Sequence, residues 1–256
     1  MKILLPSLGI YGQKSVELKV PTLQDLRDIT NYNVDELYKK ARLVSLLSDA
    51  NLSKITYDDF NYIYDIAAFS VVLNKLDFTI QCSCGNNVNT SVYLSKCDIK
   101  QLELKKKDLP VSFRSVCKKV QYRLLSAQDV IDAYDSAQVA DDEDQSFILY
   151  KINRMMCRPL EDSYSKELSL SQALSAEVFQ KMNYHGIVKV GQIKCPHCGK
   201  VTTFGWKIEP KSIELSIDRL MSMYSSMYSF LDLKSFYNLT LTEYNSLVNS
   251  IYKKLK

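Results

Sequence analysis

Two cysteine pairs have the residue type and the spacing that metal binding or redox chemistry requires. Cys195 and Cys198 lie in the stretch IKCPHCGKVTTFGW, and Cys82 and Cys84 lie in IQCSCGNNVNTSVY. Each stretch places a Cys-Gly after a spacer and a first cysteine, then continues into a polar turn and a β-type run. Two such turns that face each other can supply the four sulfur ligands of a closed tetrahedral zinc site. The sequence therefore predicts a structural Zn²⁺ bound by Cys82, Cys84, Cys195 and Cys198.

The remaining cysteines and the two histidines have other expected roles. The first pair has one spacer residue where two are usual. The sequence therefore leaves open whether a further residue also binds the metal, and His185 and Cys97 are the reserve candidates. His197 lies inside the second turn, which its flanking cysteines already use, and we expect it to face solvent. Cys117 and Cys157 lie in apolar surroundings, where a free cysteine usually behaves as a small buried hydrophobe.

A Cys-x-x-Cys pair is also the signature of a redox site, and this alternative is less favoured here. Redox pairs open a helix, whose dipole lowers the thiol pKa. Cys198 is followed by GKVTTF, which predicts a turn and a strand. The sequence contains no Gly-rich phosphate loop, no HExxH and no Gly-x-Ser-x-Gly. A zinc ion with four thiolate ligands has no open position for water. We therefore expect a protein that is not an enzyme.

Composition restricts the compartment and the partners. Apolar residues make up 46% of the 256 residues and charged residues 24%, which is typical of a soluble globular protein. No run of 18 apolar residues predicts a membrane span. The start MKILLPSLGIYG is interrupted too early to be a signal peptide, so we expect a protein that is not secreted. In the cytosol, seven cysteines favour metal binding over a disulfide framework.

A basic stretch supports the alternative function, a zinc-ribbon nucleic-acid-binding accessory protein. Lys105 to Lys107 and Lys118 to Arg123 concentrate positive charge, and an acidic run follows at Asp141 to Asp144. The net charge of +4 is too small to imply nucleic acid by itself. A solvated strand face explains the basic stretch equally well, so nucleic acid is the less favoured partner.

Helix-start signals recur along the chain. A Ser, Thr or Asn followed three residues later by an acidic residue is typical of a capping box. The predicted starts are Thr22 with Asp25, Asn33 with Glu36, Thr56 with Asp59, Ser126, and Thr240 with Glu243. Further helices are predicted at about residues 145–157 and 171–183 and from Lys211 onward. Strands are predicted in KSVELKVP, from Leu76, and in GIVKVGQIKCPHCGKVTTFGWKIE.

These elements predict an α+β fold with a helical N-terminal region, a central zinc-ribbon-like β module with inserted helices, and a helical C-terminal tail. The expected divisions are residues 1–76 for the N-terminal arm and helical region, 77–210 for the zinc-knuckle module and 211–256 for the tail. The helix after Thr240 carries apolar residues on one face, and as a terminal element it is the piece expected to contact a partner.

Several stretches resemble the baseplate hub and hub-assembly proteins of contractile-tailed, T-even-type bacteriophages. The opening LPSLGIY is similar to the start of that family through Leu5, Pro6, Ser7, Gly9 and Tyr11. VPTLQDLRDI resembles its step from strand to helix, and LSKITYDDFNYIYDIAAFSV resembles the helix ahead of the first cysteine pair. The ending FLDLKSFYNLTLTEYNSLVNSIYKKL resembles its closing helices.

The resemblance implies a structural or assembly role at the centre of a phage tail baseplate. The expected partners are other baseplate hub proteins or the tape measure protein, with no membrane contact. The expected location is the virion tail baseplate or the cytoplasm of the infected bacterial host.

Overall fold

Runs of helices and runs of short antiparallel strands follow one another along the chain, which gives an α+β fold. The computed structural model describes residues 1–30, 35–69, 75–109, 111–114, 119–139, 157–159, 170–208, 233–240, 243–244 and 246–247. The helices are α1 Leu23–Thr30, α2 Glu36–Leu47, α3 Tyr57–Ala67, α4 Ala127–Val139, α5 Leu170–Met182 and α6 Leu233–Asn238. Across these ranges, no helix has the length and apolar character needed to span a membrane.

The strand pairs among the described residues are all antiparallel. The strands are β1 Lys2–Leu4, β2 Ser15–Glu17, β3 Leu76–Gln81, β4 Asn87–Val92, β5 Ile99–Lys100, β6 Val111–Arg114, β7 Lys119–Tyr122, β8 Cys157–Pro159, β9 Gly186–Ile187, β10 Val190–Lys194 and β11 Val201–Gly205. They form the pairs β1–β2, β3–β4, β5–β9 and β10–β11 and the three-stranded sheet β6–β7–β8. The β5–β9 pair brings residues near 100 next to residues near 187.

Most of the predicted capping boxes are confirmed. At Thr56 the hydroxyl accepts the Asp59 N–H at 3.0 Å, and the Asp59 carboxylate accepts the Thr56 N–H at 3.2 Å. The same reciprocal pair occurs at Thr22 with Asp25, Ser126 with Asp129, and Thr240 with Glu243. Each box satisfies two backbone donors that the first helical turn leaves without partners, which fixes where the helix begins.

Two predicted helix boundaries are wrong. α2 begins at Glu36, and its cap is Asp35, which accepts the Leu37 N–H at 3.0 Å, whereas the predicted cap Asn33 lies outside the described residues. The helix predicted at about residues 145–157 does not include Cys157, which begins β8 and pairs with Tyr122. Pairing with a strand distant in sequence decides the conformation there. Residues 145–156 lie outside the described ranges.

The remaining predicted elements are close to the observed ones. α4 and α5 match the helices predicted after Ser126 and at residues 171–183. The strand predicted in KSVELKVP is shorter than expected: Val16 and Leu18 are buried, but Val20 is 56% exposed. The segment predicted to be helical from Lys211 lies outside the described residues apart from α6 and six residues that follow it.

One hydrophobic core includes residues from all three predicted segments. Its members include residues of the N-terminal helices, of the middle of the chain and of the C-terminal part, such as Leu43, Phe60, Ile63, Leu102, Tyr122, Leu125, Phe179, Trp206, Phe236 and Tyr244. Apolar packing therefore crosses the boundaries at residues 76 and 210, and the three-part division remains a prediction.

The C-terminal part of the described chain packs on the first helix. The Leu23 N–H donates to the Leu239 carbonyl at 2.9 Å, and Thr22 pairs with Thr240 in an isolated bridge. Tyr244 is 1% exposed, and its ring meets that of Phe236 edge-on with centroids 6.0 Å apart. Tyr244 therefore packs in the core beside Phe236 of α6, and a partner contact through the helix after Thr240 stays a prediction. The apolar residues after position 247 lie outside the described ranges.

Two hairpins, β3–β4 and β10–β11, carry the cysteine pairs at their tips. Their inner faces meet through Phe78 and Phe204, whose ring centroids are 5.9 Å apart. A Cβ on Gly191 would lie 2.6 Å from the Phe204 ring, so glycine is needed for this ring to cover the opposite strand. The base of the second hairpin is attached to α3, because Lys189 Nζ lies 2.7 Å from the buried Asp65 carboxylate.

Candidate metal centre

The four predicted ligands converge at the tips of the two hairpins. The sulfur atoms of Cys82, Cys84, Cys195 and Cys198 all lie within 4.8 Å of one another. The shortest distances join opposite hairpins, 3.6 Å from Cys82 Sγ to Cys198 Sγ and 3.8 Å from Cys84 Sγ to Cys195 Sγ. Tetrahedral zinc with Zn–S bonds of about 2.3 Å requires sulfur atoms about 3.8 Å apart. The cluster therefore has the dimensions of a four-thiolate metal site.

Each hairpin tip forms the same backbone turn, which we call a knuckle: residues 82–86 are the first and residues 195–200 the second. In the first, the Cys82 N–H donates to the Asn86 carbonyl at 2.9 Å. In the second, the Cys195 N–H donates to the Lys200 carbonyl at 2.9 Å. Asn86 and Lys200 each follow the glycine that comes after the second cysteine. The missing spacer residue of the first pair therefore shortens the turn without changing how it closes.

The glycine of each knuckle is required by its backbone conformation. Gly85 has φ of +86° and Gly199 has φ of +71°. An ideal Cβ at either position would meet no atom within 4 Å, so the restriction comes from the left-handed conformation and not from space. This turn directs backbone N–H groups toward the sulfur atoms of Cys82, Cys84 and Cys198.

Hydrogen bonds to sulfur lower two thiol pKa values in the first knuckle. The backbone N–H of Cys84 bonds the Cys82 sulfur and lowers the pKa of that thiol. Asn86 bonds the Cys84 sulfur through its backbone N–H and through its side chain, with Nδ2 3.5 Å from Sγ. These two donors lower the pKa of Cys84 to about 6. A lowered pKa favours the thiolate form of Cys84, which is the form that binds a metal.

The second knuckle shows the opposing effect of the neighbouring sulfurs. The backbone N–H of Lys200 lowers the pKa of Cys198, but the adjacent thiol groups and burial outweigh it and raise that pKa to about 11. Negative charges this close cannot all form without a compensating cation. A divalent metal would remove the conflict, so the arrangement fits a metal that prefers thiolate ligands.

The other sequence candidates do not join the cluster. His197 is exposed at the tip of the second knuckle, as predicted. Cys97 donates to the Tyr93 carbonyl at 3.3 Å and lies apart from the four sulfurs. His185 Nδ1 lies 2.9 Å from the Asn183 carbonyl, so that nitrogen carries a proton and cannot ligate. Cys117 and the side chain of Cys157 lie outside the described residues.

His185 instead belongs to a buried polar network that sequence reasoning missed. Its Nε2 lies 2.6 Å from the Thr56 hydroxyl, and its Nδ1 lies 3.4 Å from Asp58 Oδ2. A hydroxyl, an imidazole and a carboxylate in this order have the composition of a catalytic triad. However, Thr56 and His185 are each 1% exposed, and the hydroxyl caps α3. The network therefore attaches the segment before β9 to α3, and only the capping box of Thr56 signalled it in the sequence.

Burial gives Asp58 an unusual pKa within this network. Desolvation raises the pKa of Asp58 from 3.8 to about 6, although the nearby His185 opposes the shift. Asp58 also accepts the His185 backbone N–H at 3.3 Å. Asp58 lies where α3 contacts the segment that leads to the second hairpin. The charge of this contact therefore changes as Asp58 gains or loses a proton near pH 6.

Comparisons of the chain with protein-family models, with characterised proteins and with solved structures find no match. What the site can do therefore follows from its ligands, its charges and its packing.

Proposed function

We propose that this chain is a non-enzymatic structural or assembly protein in which one Zn²⁺ cross-links two distant hairpins. The observation that carries the proposal is the convergence of four cysteine sulfurs within 4.8 Å. The cysteines that approach most closely are 111 and 116 positions apart in the chain. Metal binding therefore closes long loops, and its free energy becomes folding free energy because the unfolded chain has no such site.

The donor set favours zinc in a structural role. Thiolate ligands select zinc, copper(I) or iron–sulfur chemistry, and tetrahedral four-sulfur geometry is typical of zinc or iron. Four protein ligands leave no position for a substrate or a catalytic water. In this proposal the hairpins form a zinc-ribbon-like module with inserted helices, between a helical N-terminal region and a helical C-terminal tail.

Metal analysis tests the central claim. Purified protein should contain one equivalent of zinc, and Cys195→Ser should lose it. Cys97→Ser is the matched control, because Cys97 is a free cysteine outside the cluster, and this variant should keep the metal. Zinc retained by Cys195→Ser, or no bound metal in the wild-type protein, would refute the assignment.

The resemblance to baseplate hub proteins supports a role in phage tail assembly. In this proposal the protein contacts other hub proteins or the tape measure protein, in the tail baseplate or in the cytoplasm of the infected bacterium. Tagged protein produced during infection should co-purify with hub proteins. Recovery of the protein alone, under conditions that preserve tail assembly intermediates, would contradict this role.

The nucleic-acid alternative rests on the basic stretch, and one residue of that stretch is already engaged within the protein. Arg123, the last residue of the basic stretch, is bound to Asp129 through two hydrogen bonds of 2.7 Å and 2.9 Å. A bidentate pair of this kind occupies the guanidinium group that would otherwise contact phosphate. Titration with a mixed-sequence DNA duplex separates the two functions. A nucleic-acid-binding protein should lose affinity steeply as salt is added, whereas an assembly protein should show no specific binding.

A further inference from the structure

The two sides of the cysteine cluster differ in what surrounds them. Cys82 and Cys195 are 3% and 2% exposed and pack against Val88 and Ile193 in a small apolar cluster. Cys84 and Cys198 are exposed, and all other residues of both knuckle turns after the first cysteine are exposed as well. Apolar packing therefore holds one ligand of each knuckle, and polar contacts must hold the other.

Asn86 makes these contacts in the first knuckle. It accepts the Cys82 N–H through its carbonyl, and it bonds the Cys84 sulfur through its backbone N–H and its side chain. Leu8 is the one residue other than glycine with positive φ in the described ranges, so backbone conformation does not explain an asparagine at position 86. The side-chain donor to Cys84 does explain it.

Lys200 occupies the equivalent position in the second knuckle and uses its side chain differently. Its backbone N–H bonds the Cys198 sulfur, while its ammonium group donates to the hydroxyl of Ser83 at 3.0 Å. Ser83 is the spacer of the first cysteine pair. The Lys200 side chain therefore spans the two knuckles and brings positive charge to the exposed side of a site that four thiolates and one dication would leave with a charge of about −2.

We infer that Asn86, Lys200 and Ser83 are positioning residues that close the exposed side of the metal site and slow the release of its metal. This inference rests on the proposed metal-binding function. Residues that hydrogen-bond to metal ligands orient them, and their loss typically weakens metal binding by about 10-fold to 100-fold. Asn86 acts on one sulfur directly, and the Lys200–Ser83 pair fixes the spacing of the two knuckles.

The test is the rate of zinc transfer from loaded protein to a coloured chelator. Asn86→Ala and Lys200→Ala should each keep one equivalent of zinc but release it about 10-fold faster than the wild-type protein. Asn86→Asp has the same size and no side-chain donor and adds a negative charge beside the thiolates, so it should release zinc faster than Asn86→Ala. Asn87→Ala and Lys194→Ala, at exposed neighbouring positions, should match the wild type.

A second readout separates positioning from a loss of folding. In cobalt-substituted protein, Asn86→Ala should shift the sulfur-to-metal charge-transfer band, while Lys200→Arg should restore slow release. Wild-type release rates in the Asn86 and Lys200 variants would overturn the inference, and so would equally fast release in the two control variants. Neither result would contradict the proposed metal site itself. Wild-type protein that binds no metal would instead refute the proposed function itself.

Discussion

At the scale of single residues, the knuckle glycines and the partly buried Asp58 matter for different physical reasons. Gly85 and Gly199 allow a left-handed turn that other residues rarely adopt. Asp58 contributes charge to a site from which water is largely excluded, and its contacts with His185 offset that burial only in part. Both effects concern the conformation or protonation of one residue, so single substitutions can test them.

Gly199→Ala should destabilise the zinc-loaded protein by about 1–2 kcal/mol, the typical cost of a left-handed conformation for an L-residue. No atom lies within 4 Å of the added methyl group, so steric contact adds nothing. Gly205→Ala is the control, because Gly205 lies in β11 without positive φ and its nearest contact would be 3.8 Å away. Urea unfolding measures both variants. Equal losses of stability would contradict this explanation.

Asp58→Asn should stabilise the protein at neutral pH. The pKa of Asp58 is raised from 3.8 to about 6, so the folded state binds a proton more readily than the unfolded state in this range. Stability should therefore fall as the pH rises from about 4 to 6. An amide keeps an acceptor for the His185 N–H and removes the buried charge. The expected gain at pH 7 is at most about 3 kcal/mol.

The measurement for Asp58 is unfolding free energy against pH for the wild type and the variant. Asp59, His185 and Lys189 also face Asp58, so the difference between the two curves isolates its contribution. Asp77→Asn is the control, because hydrogen bonds from Ser91 and Lys75 lower the pKa of that exposed carboxyl. Asp77→Asn should bring no gain at pH 7. Parallel curves for the wild type and Asp58→Asn would exclude a raised pKa.

At the scale of elements, the two hairpins that carry the cysteine pairs pack differently from the segment that connects them. β3–β4 and β10–β11 share a small apolar cluster at the cysteines. Residues between them, including Leu102, Leu125 and Phe179, are buried in the main hydrophobic core, against which hairpin residues such as Phe78 and Phe204 pack only partly buried. The sequence alone suggests that chelation would loosen all of residues 77–210. The packing restricts that expectation to the hairpins.

Removal of the metal should raise hydrogen exchange in residues 76–92 and 190–205 before it affects the rest of the chain. Without a cation the clustered thiols repel as they ionise, whereas the core around α3 keeps its apolar contacts. Hydrogen exchange with and without chelator measures this, with residues 57–67 of α3 as the internal reference. Even loss of protection along the whole chain would show one cooperative unit, and unchanged protection would show that the metal is not structural.

At the scale of the whole molecule, the C-terminal part completes the core formed by the N-terminal helices. Phe236 is 0% exposed and Tyr244 is 1% exposed, and both belong to the same cluster as Leu23 and Phe60. The two ends of the described chain are also joined by the bridge between Thr22 and Thr240. The C-terminal part therefore contributes to stability whatever its partners are.

Tyr244→Ala should destabilise the protein by about 3–5 kcal/mol, the usual cost of deleting a buried aromatic side chain. Zinc content should stay at the wild-type level, because the hairpins do not contain this residue. Tyr93→Ala is the control, since Tyr93 is 40% exposed, and it should cost about 0.5 kcal/mol or less. Thermal unfolding and metal analysis measure the two effects. A Tyr244 variant as stable as the Tyr93 variant would place this residue outside the core.

The sequence by itself determined the features that depend on neighbouring residues. The cysteine-glycine turns and the capping boxes at Thr22, Thr56, Ser126 and Thr240 each involve a few consecutive positions, so their spacing was sufficient to predict them. The pairing of the two cysteine turns was also predictable, because each supplies only half of a tetrahedral site.

Only the tertiary structure decided the features that depend on distant contacts. Cys157 lies in a strand because β7 pairs with it, and Tyr244 is buried because it packs against Phe236 in the core. The sequence offers His185 as a reserve metal ligand, but its contacts with Thr56 and Asn183 place it in the polar network on α3. The difference between the buried and exposed sides of the cysteine cluster also depends on contacts between residues that are distant in the sequence. Burial and pairing depend on which distant residues meet, and local periodicity does not contain that information.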